Sequence, residues 1–252
     1  MLSAEAVAGL PEVTEGFDLA TAIAPHVQDG DVVVIAHKVI SKLEGAVVEL
    51  EHVEPHERAY ELAAEHGKDP RHVQVILDQS AEIVRSRPGV LICRTHHGFV
   101  CANAGVDTSN APEGSVVLLP RDPDGSARRL RSEIKTSVPF RERKVPVPIY
   151  AVVIADSFGR AWRVGQCDIA IGVAGLAPLD DWRGRNDRAG LEMQATLIAV
   201  ADEAAAAADL ARRGKDSGEP VVIVRGLQRH VSEEDGQGAA ALIRARDEDL
   251  FS

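Results

Sequence analysis

The chain has 252 residues, 45% hydrophobic and 27% charged, with a formal net charge of −11. That length supports one large core or two smaller ones, and the acidic balance repels nucleic acid unless a basic patch is set into it. No apolar run reaches the ~20 residues of a membrane span, and residues 1–10 lack the basic and apolar regions of a secretory signal.

These absences predict a cytoplasmic protein with neither a membrane nor a nucleic-acid partner. Aromatics are only 4%, so Val, Ile, Leu and Ala must fill the core. The three cysteines, Cys93, Cys101 and Cys167, are odd in number and lack CxxC spacing. This fits a reduced protein with no disulfide framework or zinc site.

In chain order, residues 31–36 (DVVVIA) predict a buried strand, followed by a loop over residues 37–42. A helix is predicted from Glu54, with Pro55 in its first turn, to Gly67. A second helix opens on Asp69 as N-cap with Pro70 behind it and runs to about Ser80. VLICR (90–94) and FVCAN (99–103) predict a hairpin around Thr95-His-His-Gly98, which would leave His96 and His97 exposed. SVVLLP (115–120) reads as a strand and Asp122-Pro-Asp-Gly125 as a turn before a charged helix. The basic runs Arg128, Arg129, Arg131 and Arg141, Arg143, Lys144 read as solvated faces.

VPIYAVVIAD (147–156) predicts a strand that delivers Asp156 at its end, and DIAIGVAG (168–175) another apolar strand. An Ala-rich helix is predicted over 190–213, with Gly214 as its C′ residue. PVVIVRG (220–226) closes the order as a strand. Strands and helices mix without a strict βαβ rhythm. The expected fold is therefore α+β, a mixed sheet with flanking helices and an inserted or second subdomain. The expected organisation is a single domain over 1–252, admitting a subdomain around 85–145.

The P-loop and dinucleotide fingerprints are absent. Asp107 and Asp156 are instead the best metal candidates, each read as following an apolar strand and standing beside a hydroxyl. Mg2+ or Mn2+ takes oxygen ligands, commonly one or two carboxylates completed by water and phosphate oxygens. Ser109 and Asn110, near Asp107, and Ser157, beside Asp156, add polar groups to the two loops. Lys38 and Lys42 lie where an ammonium could meet phosphate, although solvation is the simpler reading. Gly214-Lys-Asp-Ser-Gly218 follows a helix, so the negative helix end faces it and only Lys215 supplies positive charge. The dense run Asp180, Asp181, Arg183, Arg185, Asp187, Arg188 reads either as a salt-bridged loop or as a substrate-facing one.

Seven segments together resemble the coenzyme F420-0:L-glutamate ligase family, the F420 gamma-glutamyl ligases. They are GLPEV from Gly9, KVISKLEG from Lys38, GFVCANAGVDTSN from Gly98, DSFGRAWRVG from Asp156, IAIGVAGLAPLDDWRGRNDRAG from Ile169, AVADEAAAAADL from Ala199 and GKDSGEPVVIVRG from Gly214. The resemblance implies a GTP-dependent ligase that joins L-glutamate to coenzyme F420-0, or its dehydro form, through an acyl phosphate. Later glutamates would be gamma-linked. It implies two divalent ions per site, Mg2+ or Mn2+, together with K+, and a homodimer.

By position it places Gly9, Leu10, Pro11, Glu12, His37, Lys42, Asn110, Gly214, Lys215, Asp216 and Ser217 on the nucleotide. It places metal on Asp107, Asp156 and Ser157, and Lys42, Asp107 and Asp156 in catalysis. Two departures stand out. Phe17 stands where relatives commonly carry an acid. Lys215 stands where some relatives place a metal-ligating glutamine, and a protonated ammonium has no lone pair to offer a metal. Some bacterial relatives carry a flavin domain after the ligase domain; Ser252 follows the last ligase motif so closely that no flavin is expected. A ligase for another acid acceptor and a non-catalytic nucleotide-binding protein are the alternatives.

Overall fold

The computed structural model describes residues 1–137 and 147–249. The run Arg141, Arg143, Lys144 lies outside the described residues. The fold is α+β, and the chain divides into two compact units. One comprises Met1–Ala36, Asp122–Ser157 and Cys167–Leu242; the other comprises His37–Arg121, Phe158–Gln166 and Ile243–Ser252.

The first unit is built on a five-stranded sheet, in the order β1-β12-β2-β8-β9. These strands are β1 (Ser3–Ala6), β2 (Val32–Ala36), β8 (Ala151–Arg160), β9 (Arg163–Ala174) and β12 (Val221–Arg225). β2 and β8 are parallel, with Ala36 opposite Ala155, whereas β12 runs antiparallel to both β1 and β2. Val32, Val33, Val34 and Ile35 have no exposed surface. A strand covered on both faces must read as an unbroken apolar run, which explains the VVVI sequence.

On one face of this sheet pack Ala201, Ala204, Ala205 and Ala208 of α6 (Val200–Ala211). Their small side chains let the helix sit close to Val34, Val153 and Val222. Elsewhere in the unit, α1 (Leu19–Ile23) packs on α5 (Pro123–Thr136). α5 opens on an N-cap: the Asp122 carboxylate accepts from the Gly125 N–H at 2.9 Å, and Pro123 occupies the first turn. The predicted Asp-Pro-Asp-Gly turn is thus the helix start itself.

The second unit holds α2 (His37–Leu43), β3 (Val47–Glu49), α3 (Glu57–His66), α4 (Pro70–Asp78) and β4 (Ser80–Arg87). It also holds β5 (Val90–Thr95), β6 (Val100–Ala102) and β7 (Ser115–Val117). β4, β5 and β6 form an antiparallel sheet, and β3 pairs with β7. Leu62, Val73, Ile76, Leu91, Cys93, Val106 and Val116 form its core. The predicted hairpin is present, with Cys93 directly opposite Cys101; both cysteines are reduced and buried.

Several boundaries depart from the sequence reading. Residues 37–42, expected as a loop, begin α2: burial of Val39 and Ile40 overrides the low helix propensity of β-branched residues. α3 starts at Glu57 after a His56 N-cap, so Pro55 precedes the helix. β4 was not expected, because its partly covered residues show no clean alternation and its register shifts twice. The helix predicted over 190–213 is only α6, since Gly190 turns at φ 87 and Leu197–Ile198 pair as β11 with β10 (Asp180–Asp181). The left-handed residue after α6 is Arg213, at φ 62, one position before Gly214. Arg131, expected on a solvated face, is 1% exposed; it donates to Tyr150 O, Glu233 O and Ser232 O and pairs with Asp235 at 2.6 Å.

Candidate functional site

In the first unit the candidate residues gather at one edge of the sheet. β2 and β8 both end there, while β12 begins there with Val221 opposite Ile35. The Ala36 N–H donates to Pro220 O at 2.9 Å, which fixes the end of the 214–220 loop on that edge. Ligands of open sheets characteristically bind beyond the carboxyl ends of parallel strands. Asp156 follows the Ala36–Ala155 pair directly, but β8 continues to Arg160, so Asp156 is a residue within the strand and not its last. The Asp156 Oδ1 accepts from the Ser157 N–H at 2.7 Å.

Beside it lies an ionic cluster that sequence reading did not assemble. The Ser157 hydroxyl donates to Asp168 Oδ1, and the other Asp168 oxygen takes the Arg212 guanidinium. Asp168 and Arg212 are both buried. The Lys215 ammonium donates to Ser157 Oγ at 2.7 Å, Asp209 Oδ1 at 2.7 Å and Asp168 Oδ1 at 3.3 Å. Burial pulls the Lys215 ammonium down, but Asp209 and Asp168 outweigh it and hold the group above the ordinary lysine value. Within the loop, Ser217 Oγ donates to Gly214 O at 3.1 Å and accepts from the Glu219 N–H at 3.3 Å. Gly9, at φ 78, turns the chain just after β1, and Leu10, Pro11 and Glu12 follow in irregular structure. One signal for the cluster was legible: Asp168 heads the buried, apolar half of β9, which is a costly place for an unpaired charge.

In the second unit the Asp107 loop is built by local hydrogen bonds. Asp107 bridges β7 through Val117, and its Oδ1 accepts from the Ser109 N–H at 2.8 Å. Its Oδ2 accepts from Ser109 Oγ at 2.9 Å and from the Lys38 ammonium at 2.6 Å. Lys38 also donates to Ser109 O at 3.0 Å and contacts Ser109 Oγ. Burial pushes the Asp107 carboxyl up, but Lys38 and Ser109 outweigh it and hold the group below the ordinary aspartate value. Asn110 is exposed at φ 55, a left-handed conformation that asparagine tolerates better than most residues. Gly105, at φ 74, has no room for a Cβ, which would lie 2.6 Å from Leu119 Cγ.

Lys38, read as solvated, is therefore the residue on the Asp107 carboxylate. His37 is buried and Lys42 lies in the last turn of α2. The hairpin histidines are pinned: His96 Nε2 donates to Asp78 O, and His97 Nε2 is 3.0 Å from both Pro120 O and Arg121 O.

The Asp180–Arg188 run is laced by ion pairs. Arg183 clamps Asp181 at 2.7 Å and holds its carboxyl down to about 2, while Arg229 reaches Asp180 at 3.2 Å. Arg185 lies 5.1 Å over the Trp182 ring.

Among the described residues, the only three His, Cys, Asp or Glu side chains clustered closely enough for one ion are the exposed Glu49, Glu51 and His52. Neither Asp107 nor Asp156 belongs to such a group of three, so an ion on either carboxylate would need phosphate and water oxygens to complete its coordination. At Asp107 Oδ2 such an ion would compete with the Lys38 ammonium. A metal on Ser157 Oγ would meet the Lys215 ammonium. No helix among the described residues is long and apolar enough to cross a membrane.

Residues 9–226 match the sequence model of a family described as F420-0:Gamma-glutamyl ligase. The coenzyme F420:L-glutamate ligase of Methanothermobacter thermautotrophicus is 41% identical, covering 97% of this chain and 96% of that protein. The protein of that name from Methanopyrus kandleri is 44% identical, covering 95% and 93%. Its counterpart from Halorubrum lacusprofundi is 39% identical, covering 95% and 96%.

Proposed function

The chain belongs to the F420-0:gamma-glutamyl ligase family, and on that premise we propose that it is a GTP-dependent ligase that joins L-glutamate to coenzyme F420-0 or its dehydro form. The observation that carries this reading is the near full-length relationship to coenzyme F420:L-glutamate ligases.

A free carboxylate does not acylate an amine. In the proposed reaction the acceptor carboxylate attacks the γ-phosphorus of GTP, giving an acyl phosphate and GDP. The neutral glutamate amine then attacks the acyl carbon, phosphate leaves, and the amine proton passes to solvent or base. Asp107 and Asp156 would hold Mg2+ or Mn2+, which would neutralise charge on the phosphoryl oxygens. Lys42, in α2, would add a positive point charge to the phosphates. Gly9, Leu10, Pro11, Glu12, His37, Asn110 and the 214–217 loop would hold the nucleotide. That neither Asp107 nor Asp156 lies in a cluster of three ligating side chains suits an ion whose coordination the phosphates complete.

The test is incubation of the purified chain with GTP, Mn2+, glutamate and F420-0. An acceptor mass raised by whole glutamate residues, with matching release of GDP, is expected. GTP binding without any product, or product only from a different acid, would overturn the assignment.

A further inference from the structure

The Lys215 ammonium has three N–H groups, and each has an oxygen: Ser157 Oγ at 2.7 Å, Asp209 Oδ1 at 2.7 Å and Asp168 Oδ1 at 3.3 Å. These oxygens come from β8, α6 and β9, so three elements of one unit converge on a single positive charge. The charges around that point balance only with the lysine present. Asp168 and Asp209 contribute two negatives, Arg212 one positive and Lys215 the other.

Asp168 is 2% exposed, so water cannot replace the missing charge cheaply at that carboxylate. The lysine side chain itself is 63% exposed and reaches the site from a loop. An ordinary loop ion pair of that exposure contributes little and is indifferent to which salt is present. Three converging oxygens, one on a withdrawn carboxylate, describe instead a seat for a cation of ammonium size.

We infer that Lys215 is a tethered monovalent cation: its ammonium fills an oxygen-lined seat formed by Ser157, Asp168 and Asp209 and so fixes the 214–220 loop to the sheet edge. Lys215 is in this sense a positioning residue, and its role holds whatever acid the enzyme acts on. A chain without the lysine head has the same seat with one negative charge in excess, and a free ammonium ion fits it.

The test uses the full chain carrying Lys215→Ala, with thermal unfolding and limited proteolysis of the 214–218 loop as readouts. Ammonium chloride is compared with tetramethylammonium chloride at equal ionic strength, the latter too bulky to enter the seat. The unsubstituted chain is expected to ignore the exchange. Lys215→Ala is expected to melt about 2–4 °C lower in tetramethylammonium, to be cleaved faster in the loop, and to recover on both counts in ammonium. Adding Asp209→Asn should abolish the recovery. Lys215→Met, which keeps the apolar stem, is scored in the same way and separates loss of charge from loss of packing. Equal stability of Lys215→Ala and the unsubstituted chain in tetramethylammonium would overturn the inference. So would recovery that is the same in both salts or that survives Asp209→Asn.

Discussion

Arg212 and Asp168 form an ion pair withdrawn from water on both sides, the guanidinium 7% and the carboxylate 2% exposed. Such a pair is costly to break from one side, because the surviving charge stays buried. Arg212→Met should therefore lower stability by about 3–5 kcal/mol, toward the lower end because Lys215 still reaches Asp168. Arg212→Met with Asp168→Leu should recover part of that loss, since no charge is then stranded. Urea unfolding of the single and double variants measures both. A double variant less stable than Arg212→Met would contradict the ion-pair account.

The Lys38–Asp107 pair has a defined pH signature. The Asp107 carboxyl is held below its ordinary 3.8 in the folded chain, so the folded state favours the charged form. Its contribution to stability is complete above the ordinary value and is lost as pH falls through the depressed one. The unfolding midpoints of the unsubstituted chain and Asp107→Asn should therefore differ by a constant amount from neutral pH down to about pH 5, then converge below about pH 4. A gap that widened on acidification would reverse the sign and refute the pairing.

Asp107→Asn and Asp156→Asn should each collapse glutamate addition while leaving the unfolding transition cooperative. Near-normal turnover would remove that carboxylate from the metal role. Lys38→Met gives the converse result. With the ammonium gone from Asp107 Oδ2, Mn2+ should bind the nucleotide-free chain roughly five- to tenfold more tightly. Mn2+ titration by calorimetry measures this, and weaker binding would show that Lys38 does not compete for that oxygen.

Gly105 stands two residues before Asp107, at φ 74, with Leu119 Cγ 2.6 Å from where a Cβ would lie. Gly105→Ala should destabilise by about 2–4 kcal/mol, from left-handed strain and overpacking together. Leu119→Ala in the same chain should relieve the packing share only. Thermal unfolding of the pair separates the two contributions; full rescue would remove the backbone argument.

The apolar strands β2 and β12 were legible because strands buried on both faces leave unbroken Val and Ile runs. α4 was legible from Asp69 and Pro70, whose capping chemistry is local. α2 was hidden, since its Val39 and Ile40 favour extended backbone until burial decides otherwise. The candidate site divides in the same way. Asp107, Asp156 and the 214–218 loop announce themselves through turn residues and strand ends. Asp209 and Arg212 do not, and Asp168 shows only as a charge heading an apolar run, because their meaning lies in contacts between separate elements. Lys38 was read as solvated because nothing within its own segment reveals the carboxylate that receives it 69 residues later.

The reduced cysteines make the chain its own unfolding probe. Cys93 and Cys101 lie buried in one unit, and burial pushes the Cys93 thiol up, so the reactive thiolate is scarce. Cys167 belongs to the other unit and is only half-buried. Thiol-labelling kinetics, followed by mass spectrometry of each cysteine peptide, can thus time the opening of the two units separately without an engineered label.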